Sequence, residues 1–314
     1  MSVTSILALL QTTLELGLIS SLTVLALFLS YSMLNVCDLS TDGCFTLGAT
    51  VGAVVAISGH PYLSIICAML AGIASGFITA LLQTKLGVDS LLAGIIVNTG
   101  LYSINIAIMG NASLLNMNKT ETVFTKMKDL LAGTPFKKQY VLIIALIAVI
   151  CVIVFLALFL KTKLGLSIRA TGNNPDMVRS SSINPAITTI IGLCIANAFT
   201  GLSGCLLAQS QKSVNIDIGT GMVTVALASL LIGGVFVVKS NKILTKAICV
   251  VIGAIVFRLV YMVALRFNMP ASMLKLVSSI IVIIAISGPY LKSKFPTFKR
   301  QRDHRLGKES NEYA

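Results

Sequence analysis

Apolar runs of about 20 residues recur from end to end of this chain, each long enough to cross a hydrocarbon core of about 30 Å as a helix. A backbone in lipid must satisfy its own hydrogen bonds, and the runs lack the short alternating pattern of a barrel, so they are read as helices. Spans are predicted over 14–34, 44–58, 62–83, 90–109, 139–160, 186–208, 219–238, 243–265 and 272–290. The second is short for a crossing and reads as a broken or tilted element. The expected class is all-α: a polytopic helical membrane protein with about 8–10 transmembrane helices.

One polar island interrupts this pattern. Residues 161–185 carry Lys161, Lys163, Arg169 and Arg179, with turn chemistry at Gly172-Asn173-Asn174-Pro175. Gly tolerates positive φ, and Pro suits the first helical turn, so Asn174 as N-cap with Pro175 at N1 predicts a short helix through Met177 and Arg179. Asn184-Pro185 then closes it and feeds the next span. The length and ordered punctuation exceed what a bare connector needs. The island therefore reads as a knuckle held in water, able to pass a push to helices that stay in lipid.

Composition agrees with the pattern: 56% hydrophobic, 11% charged, mean hydropathy +0.93. A soluble domain carries roughly 25% charged residues. The formal charge of +13 raises the question of nucleic acid, but its placement argues against that partner. No Lys or Arg precedes Lys85, while Lys292, Lys294, Lys299, Arg300 and further basic residues crowd 291–314. A basic tail beside a last span is retained in the cytoplasm. Counting back from it puts the island and Lys239–Lys242 inside and the N-terminus outside. The 111–138 segment also falls outside despite its five lysines, as a small external cap. The first span has no positive n-region or cleavage site and is expected to stay.

The two halves echo one another faintly. Asn35-Val-Cys-Asp38-Leu-Ser40-Thr41-Asp42-Gly43 precedes one apolar run and Asn215-Ile-Asp217-Ile-Gly219-Thr220-Gly221 another. Transporters built from repeats place their sites at interrupted helices near the midplane. Intramembrane polar groups are the other clue, because a charge at the bilayer centre costs about 2.5–3.5 kcal/mol and usually faces protein or a watery path. Asp38, Ser40, Asp42, Asn98, Asp217 and Arg258 are the candidate path residues. For Asp38 and Asp42 a plain turn competes with a helix break lining the path. Arg258 has three uses open to it: pairing with Asp38, Asp42 or Asp217, binding a substrate carboxylate, or snorkelling to the surface. Asn98, Asn105 and Asn197 read first as interhelical hydrogen-bond partners, and Ala68, Gly72, Gly76 and Ala80 as close-packing positions.

Enzymatic signatures are missing. There is no Gly-x-x-x-x-Gly-Lys-Ser/Thr loop, and Gly307-Lys308 lies in the tail. His60 and His304 are isolated, and the seven cysteines, all in or beside apolar runs, show neither metal spacing nor a disulfide framework. A lipid-acting membrane enzyme would need a cluster of His, Asp or Glu at one face. An ion-gradient-driven secondary transporter, the alternative reading, would need mid-span carboxylates, which are scarce.

Three ordered motifs carry a resemblance. Arg169-Ala-x-Gly172-Asn173-Asn174-Pro175-x-x-x-Arg179-x-Ser-x-Ile183-Asn184 resembles the cytoplasmic coupling loop of permeases of ABC importers of the branched-chain amino acid and ribose type. Asp38-Leu39-Ser40-Thr-Asp-Gly43 with Leu47-Gly48-Ala49 resembles that family's early signature. Ile218-Gly219-Thr220-Gly221 with Ala226-x-x-x-Leu230-x-Ile232-Gly233-Gly234 resembles its late Gly-rich one. Thr41-Asp42 and the missing Gly run after Gly234 depart from the common pattern, and with 101–111 look closer to a subgroup associated with amino-acid uptake, including aromatic amino acids such as tryptophan. The resemblance implies a type II-like ABC importer permease, with 1–290 as the membrane domain in a bacterial cell membrane. It implies a likeness in partners as well: a cytoplasmic ABC ATPase that binds the ATP, an extracellular solute-binding protein and a second copy forming a homodimer. No cofactor of its own is implied. The coupling loop maps onto Arg169, Gly172, Asn173, Asn174, Pro175, Arg179, Ile183 and Asn184.

Overall fold

A computed structural model describes residues 3–131, 133, 139–236 and 242–266, with a few isolated positions between 276 and 287. Helix α1 (Val3–Leu27) continues as a π-helical turn (Phe28–Met33), followed by α2 (Thr41–Ile57), α3 (Pro61–Lys85) and α4 (Ser90–Ile108). Strand β1 (Leu114–Asn116) and helix α5 (Val123–Leu130) precede α6 (Tyr140–Phe159). Next come α7 (Lys163–Asn173), α8 (Pro175–Ser180) and α9 (Pro185–Gln211), then β2 (Ser213–Asn215), α10 (Met222–Phe236) and α11 (Ile243–Arg266). Among the described residues six helices are long and apolar enough to span a bilayer, while α2 and α10 are shorter apolar helices. The chain is a polytopic helical membrane protein. The predicted ninth span (272–290), the basic tail (291–314) and most of the Lys239–Lys242 turn lie outside the described residues.

The two ends of the bundle differ. At the Pro185 end of α9 sit α7 and α8. At the Gln211 end, β1 and β2 pair antiparallel, Leu114 opposite Asn215, and α5 packs beside them. Residues 111–131 and the 161–185 segment thus occupy opposite ends of the bundle. Gln209 pins the first of these: its Oε1 accepts from Val123 N at 3.0 Å and its Nε2 donates to Ser64 Oγ at 2.6 Å. Buried Phe124 and Met117 seat the cap on the bundle. Lys126 lies 3.7 Å from Glu121 and 5.5 Å from the Tyr62 ring, so one of the five lysines is engaged locally.

Helices α1 and α9 form the centre, 78% buried over their most apolar windows, whereas α4 and α6 are 28% and 22% buried and occupy the rim. Close approach is what puts α9 at the centre. Water-driven burial is weak between helices already in lipid, so small residues that let backbones touch decide the packing. A Cβ on Gly72 would overlap the Asn197 carbonyl, one on Gly76 the Leu193 carbonyl, and one on Gly204 the Phe45 carbonyl. The small-residue stripe read from Ala68 to Ala80 is the α3 face packed on α9.

The second span is an unbroken but short helix, and the interruption lies ahead of it. After the π-turn, Leu34 lies at the α7 end, packed with Ile168, Ala80 and Leu193. Asn35 takes positive φ (57°), the chain turns back through a short non-helical loop, and α2 starts only at Thr41, level with the middle of α9. An unpaired backbone at that depth must be satisfied by side chains. Asp38, 1% exposed, meets this need: Oδ1 accepts from Ser40 N (2.8 Å) and Ser40 Oγ (2.6 Å), and Oδ2 from Asn197 Nδ2 (2.8 Å). Thr79 Oγ1 donates to Ser40 Oγ at 3.2 Å, tying in α3. The same architecture recurs inverted after β2. Residues 216–221 re-enter from the opposite end, and α10 begins at Met222 beside Asp42. The echo at 35–43 and 215–221 therefore marks two breaks that meet in the middle, α2 rising to one end and α10 descending to the other.

Two outcomes test this packing. Gly204→Val should lower stability by about 1–3 kcal/mol through overpacking. Gly100→Ala, which meets open space, should be neutral or raise it by up to about 1 kcal/mol; both are read as apparent Tm in detergent. Asn197→Ala should destabilise by about 1–3 kcal/mol because it leaves Asp38 Oδ2 buried without its donor. An unchanged Tm for that variant would show that Asp38 does not brace the break.

Candidate functional site

An open cavity of about 370 Å³ lies where the start of α2 meets α4 and the re-entrant segment 216–221, within the range of about 300–1,000 Å³ typical of ligand pockets. One wall is the start of α2, with Asp42, Gly43 and Thr46. Another is α4, with Asn98, Thr99, Tyr102 and Asn105, and the third is the re-entrant segment, with Ile216, Asp217 and Thr220. Asp42 joins the halves. Its Oδ2 accepts from Gly221 N at 2.9 Å and its Oδ1 from Val223 N at 2.8 Å. A carboxylate thereby caps the free N–H groups at the start of α10, where the helix dipole favours negative charge.

Of the six candidate path residues, Asp42, Asn98 and Asp217 are brought together at this cavity. Asp38 and Ser40 are not part of its lining. They do sit at a helix break, but their side chains face α3 and α9 and hold the break from behind. Arg258 is elsewhere: its Nε donates to Ser20 Oγ on α1 at 3.3 Å, with its guanidinium 5.9 Å from the Tyr261 ring, so the pairing with Asp38, Asp42 or Asp217 is not made. Asn197 is an interhelical partner, as expected. Asn105 is both partner and lining: Nδ2 donates to Gly43 O at 3.2 Å while Oδ1 is buried without a partner. Thr99, Tyr102 and Thr220 escaped the sequence reading because a helix pattern does not reveal which face meets another element.

The island folds as a helical pair. Asn174 is indeed the N-cap of α8, Oδ1 accepting from Asp176 N (3.0 Å) and Met177 N (3.1 Å), with Pro175 at N1 and Asn184 capping α9 through Ala186 N (2.9 Å). The turn expected at Gly172-Asn173 is instead the last turn of α7, a helix that the sequence reading missed. Gly172 is there for close approach and not for positive φ, because a Cβ would overlap the Met33 carbonyl and crowd Leu34. Thr162 caps α7, and Thr171 Oγ1 and Thr188 Oγ1 lie 2.8 Å apart, tying α7 to α9. Asn173, Asn174, Pro175, Arg179, Ile183 and Asn184 are exposed, and Arg169 is half-buried. Arg179 and Asp176 form an exposed pair at 3.7 Å, beside exposed Met177.

This knuckle touches the chain just ahead of the break. Gly172 sits on Met33 and Leu34, and six residues later Ser40 leads into α2 and the cavity.

Comparison with known proteins agrees with this architecture. The family model described as branched-chain amino acid transport system, permease component, matches residues 9–286. The chain is 31% identical over 268 residues to the tyrosine transport system permease protein of Clostridioides difficile (strain R20291), covering 85% of this chain and 86% of that one. It is also 31% identical to an uncharacterised protein of Rickettsia prowazekii (strain Madrid E), covering 88% and 96%. A probable branched-chain amino acid transport permease protein of Methanocaldococcus jannaschii is 25% identical, covering 72% and 67%. No solved structure matches the chain at a significant level. With six long apolar helices among the described residues, two half-helices joined at Asp42 and a match spanning nearly its whole length, the chain belongs to the permease-component family of branched-chain amino acid transport systems.

Proposed function

We propose that this chain is the membrane-spanning subunit of a bacterial ABC importer for an amino acid, acting as a homodimer, with the cavity on its translocation path. A cytoplasmic ATPase would grip Gly172–Asn184 and an external solute-binding protein would dock at the β1/β2 end. The carrying observation is the mechanical route from knuckle to cavity. A push on α7 and α8 falls on Leu34, and the short loop 35–40 joins Leu34 to the start of α2, whose Asp42 holds α10. A shift of α7 therefore bears on both half-helices at once, a rigid-body means of exposing the cavity alternately to each side. The likeness to a tyrosine transport permease of Clostridioides difficile supports an amino acid as cargo. The homodimer draws support from α4, which carries exposed Ser103 beside the cavity-lining Thr99 and Tyr102. Polar groups at membrane depth normally face protein or a watery path, which a second copy would provide.

The double variant Met177→Asp/Arg179→Glu alters the exposed face of α8 without touching the buried side. It should release the ATPase from the purified complex and lower ATP-dependent uptake into proteoliposomes by about ten-fold or more, a loss of about 1.4 kcal/mol of coupling. The apparent Tm should stay unchanged. Unaltered uptake would remove the coupling assignment, and uptake that needs an ion gradient and no ATP would replace it with a secondary transporter.

A further inference from the structure

The charge of the cavity wall is one-sided. Its threonine hydroxyls are engaged with backbone carbonyls: Thr46 Oγ1 donates to Asp42 O at 3.2 Å, Thr99 Oγ1 to Ile95 O at 2.9 Å and Thr220 Oγ1 to Asp217 O at 2.6 Å. Asn105, 1% exposed, uses its amide N–H on Gly43 O, which leaves its carbonyl oxygen buried with no donor. Asp42, also in the lining, accepts one backbone N–H group on each oxygen and meets no cation among the described residues. The Asp217 carboxylate meets no cation among the described residues, while its backbone N–H donates to Asn215 Oδ1 at 3.2 Å. Among the described residues, no Lys, Arg or His lines the cavity. Two carboxylates and an orphaned amide oxygen thus face a space with no basic side chain in its wall.

An orphaned buried acceptor costs free energy until a donor reaches it. A concave surface with low-dielectric walls and one sign of charge concentrates the opposite sign. A metal ion would want several oxygen ligands converging at about 2.0–2.6 Å, but no group of metal-holding side chains occurs among the described residues. A primary ammonium fits better, because its three donors can be divided among Asp217, Asn105 Oδ1 and a third acceptor. Tyr102 adds an aromatic face on which such a cation can rest.

We infer that this cavity is a binding subsite for the primary ammonium group of a solute, with Asp217 and the Asn105 carbonyl oxygen as its principal acceptors. The inference rests on the proposal that the cavity belongs to the transport path, and adds which end of the cargo is read there. A zwitterionic amino acid would seat its ammonium against Asp217 and keep its carboxylate away from Asp42. A deaminated acid would be repelled, and a neutral polyol would leave the carboxylates without a counter-charge.

The test uses the full chain in nanodiscs at constant ionic strength, titrated with radiolabelled tyramine, L-tyrosine and 3-(4-hydroxyphenyl)propionate. Tyramine and L-tyrosine should bind, and the deaminated acid should bind at least about ten-fold more weakly. Asp217→Asn should weaken tyramine by about ten-fold. Thr99→Lys, which places a fixed ammonium at the exposed wall, should abolish tyramine binding with no change in Tm. Equal binding of the deaminated acid, indifference to Asp217→Asn, or no tyramine binding at millimolar concentration would overturn the assignment. So would displacement of tyramine by equimolar sodium chloride, which would mark a simple inorganic cation site. ATP-dependent uptake that persists while amine selectivity fails would sink this inference alone. Amine selectivity in a protein that retains no ATPase would sink the importer proposal alone.

Discussion

A single carboxylate holds the middle of this protein together. Asp42 stands at the start of one half-helix and closes the start of the other through Gly221 and Val223. Lipid offers no donor or acceptor, so the two free helix starts that result from breaking two spans need partners from within the chain. Asp42 meets that need for α10, and Asp38 with Ser40 does so for the segment leading into α2. The cavity exists because of this arrangement. Two continuous helices in the same places would bury their backbone groups and leave no polar space between them.

The rest of the bundle positions those two breaks. Helix α9 is the common neighbour: its glycines and Asn197 admit α2 and α3 at backbone contact, and Asn197 reaches Asp38 across that seam. Side-chain hydrogen bonds between membrane helices are individually modest, averaging about 0.6 kcal/mol in measured cases, so close packing supplies most of the order and the polar groups set register. The inverted relation between the halves follows from the same geometry. Each half offers a long helix, an irregular return and a short helix, and α9 backs the return that precedes α2. The knuckle then has one point of leverage, Leu34, placed where the first long helix ends and its return begins.

Reading the cavity as an ammonium site and the knuckle as an ATPase seat gives the two halves different work. The first half carries the push, through Met33, Leu34 and the return to α2. The second half, with Asp217 and Thr220 on its re-entrant segment, supplies the groups nearest the β1/β2 end. Asp42 links them, so motion of α2 bears directly on the cap of α10. Arg258, the one basic residue well inside a described span, is kept away on the α1 side, where it bonds Ser20 and leaves the cavity anionic.

Much of this was legible in the sequence, for reasons that are local. Span positions follow from hydropathy and length, and the shortness of the second run already set it apart from a full crossing. Asn174-Pro175 and Asn184-Pro185 announced the starts of α8 and α9, because capping depends on residues within one turn. The repeat at 35–43 and 215–221 also pointed to interrupted helices. Other features depended on contacts between residues far apart in the chain, which local pattern does not encode. Gly172 looked like a turn and is a packing glycine, since only the folded bundle brings Met33 against it. Asp38 and Asp42 looked equivalent, four residues apart on one motif, yet one turns to α9 and the other to α10. Asn105, Tyr102 and Thr99 became cavity wall only when the re-entrant segment folded back beside α4. The sequence alone determined that this chain crosses lipid as helices with two interruptions and one polar knuckle, because hydropathy and capping act over a turn or a span. Which carboxylate braces a break and which faces a ligand was decided by tertiary structure, because that depends on which distant backbone lies within hydrogen-bonding reach.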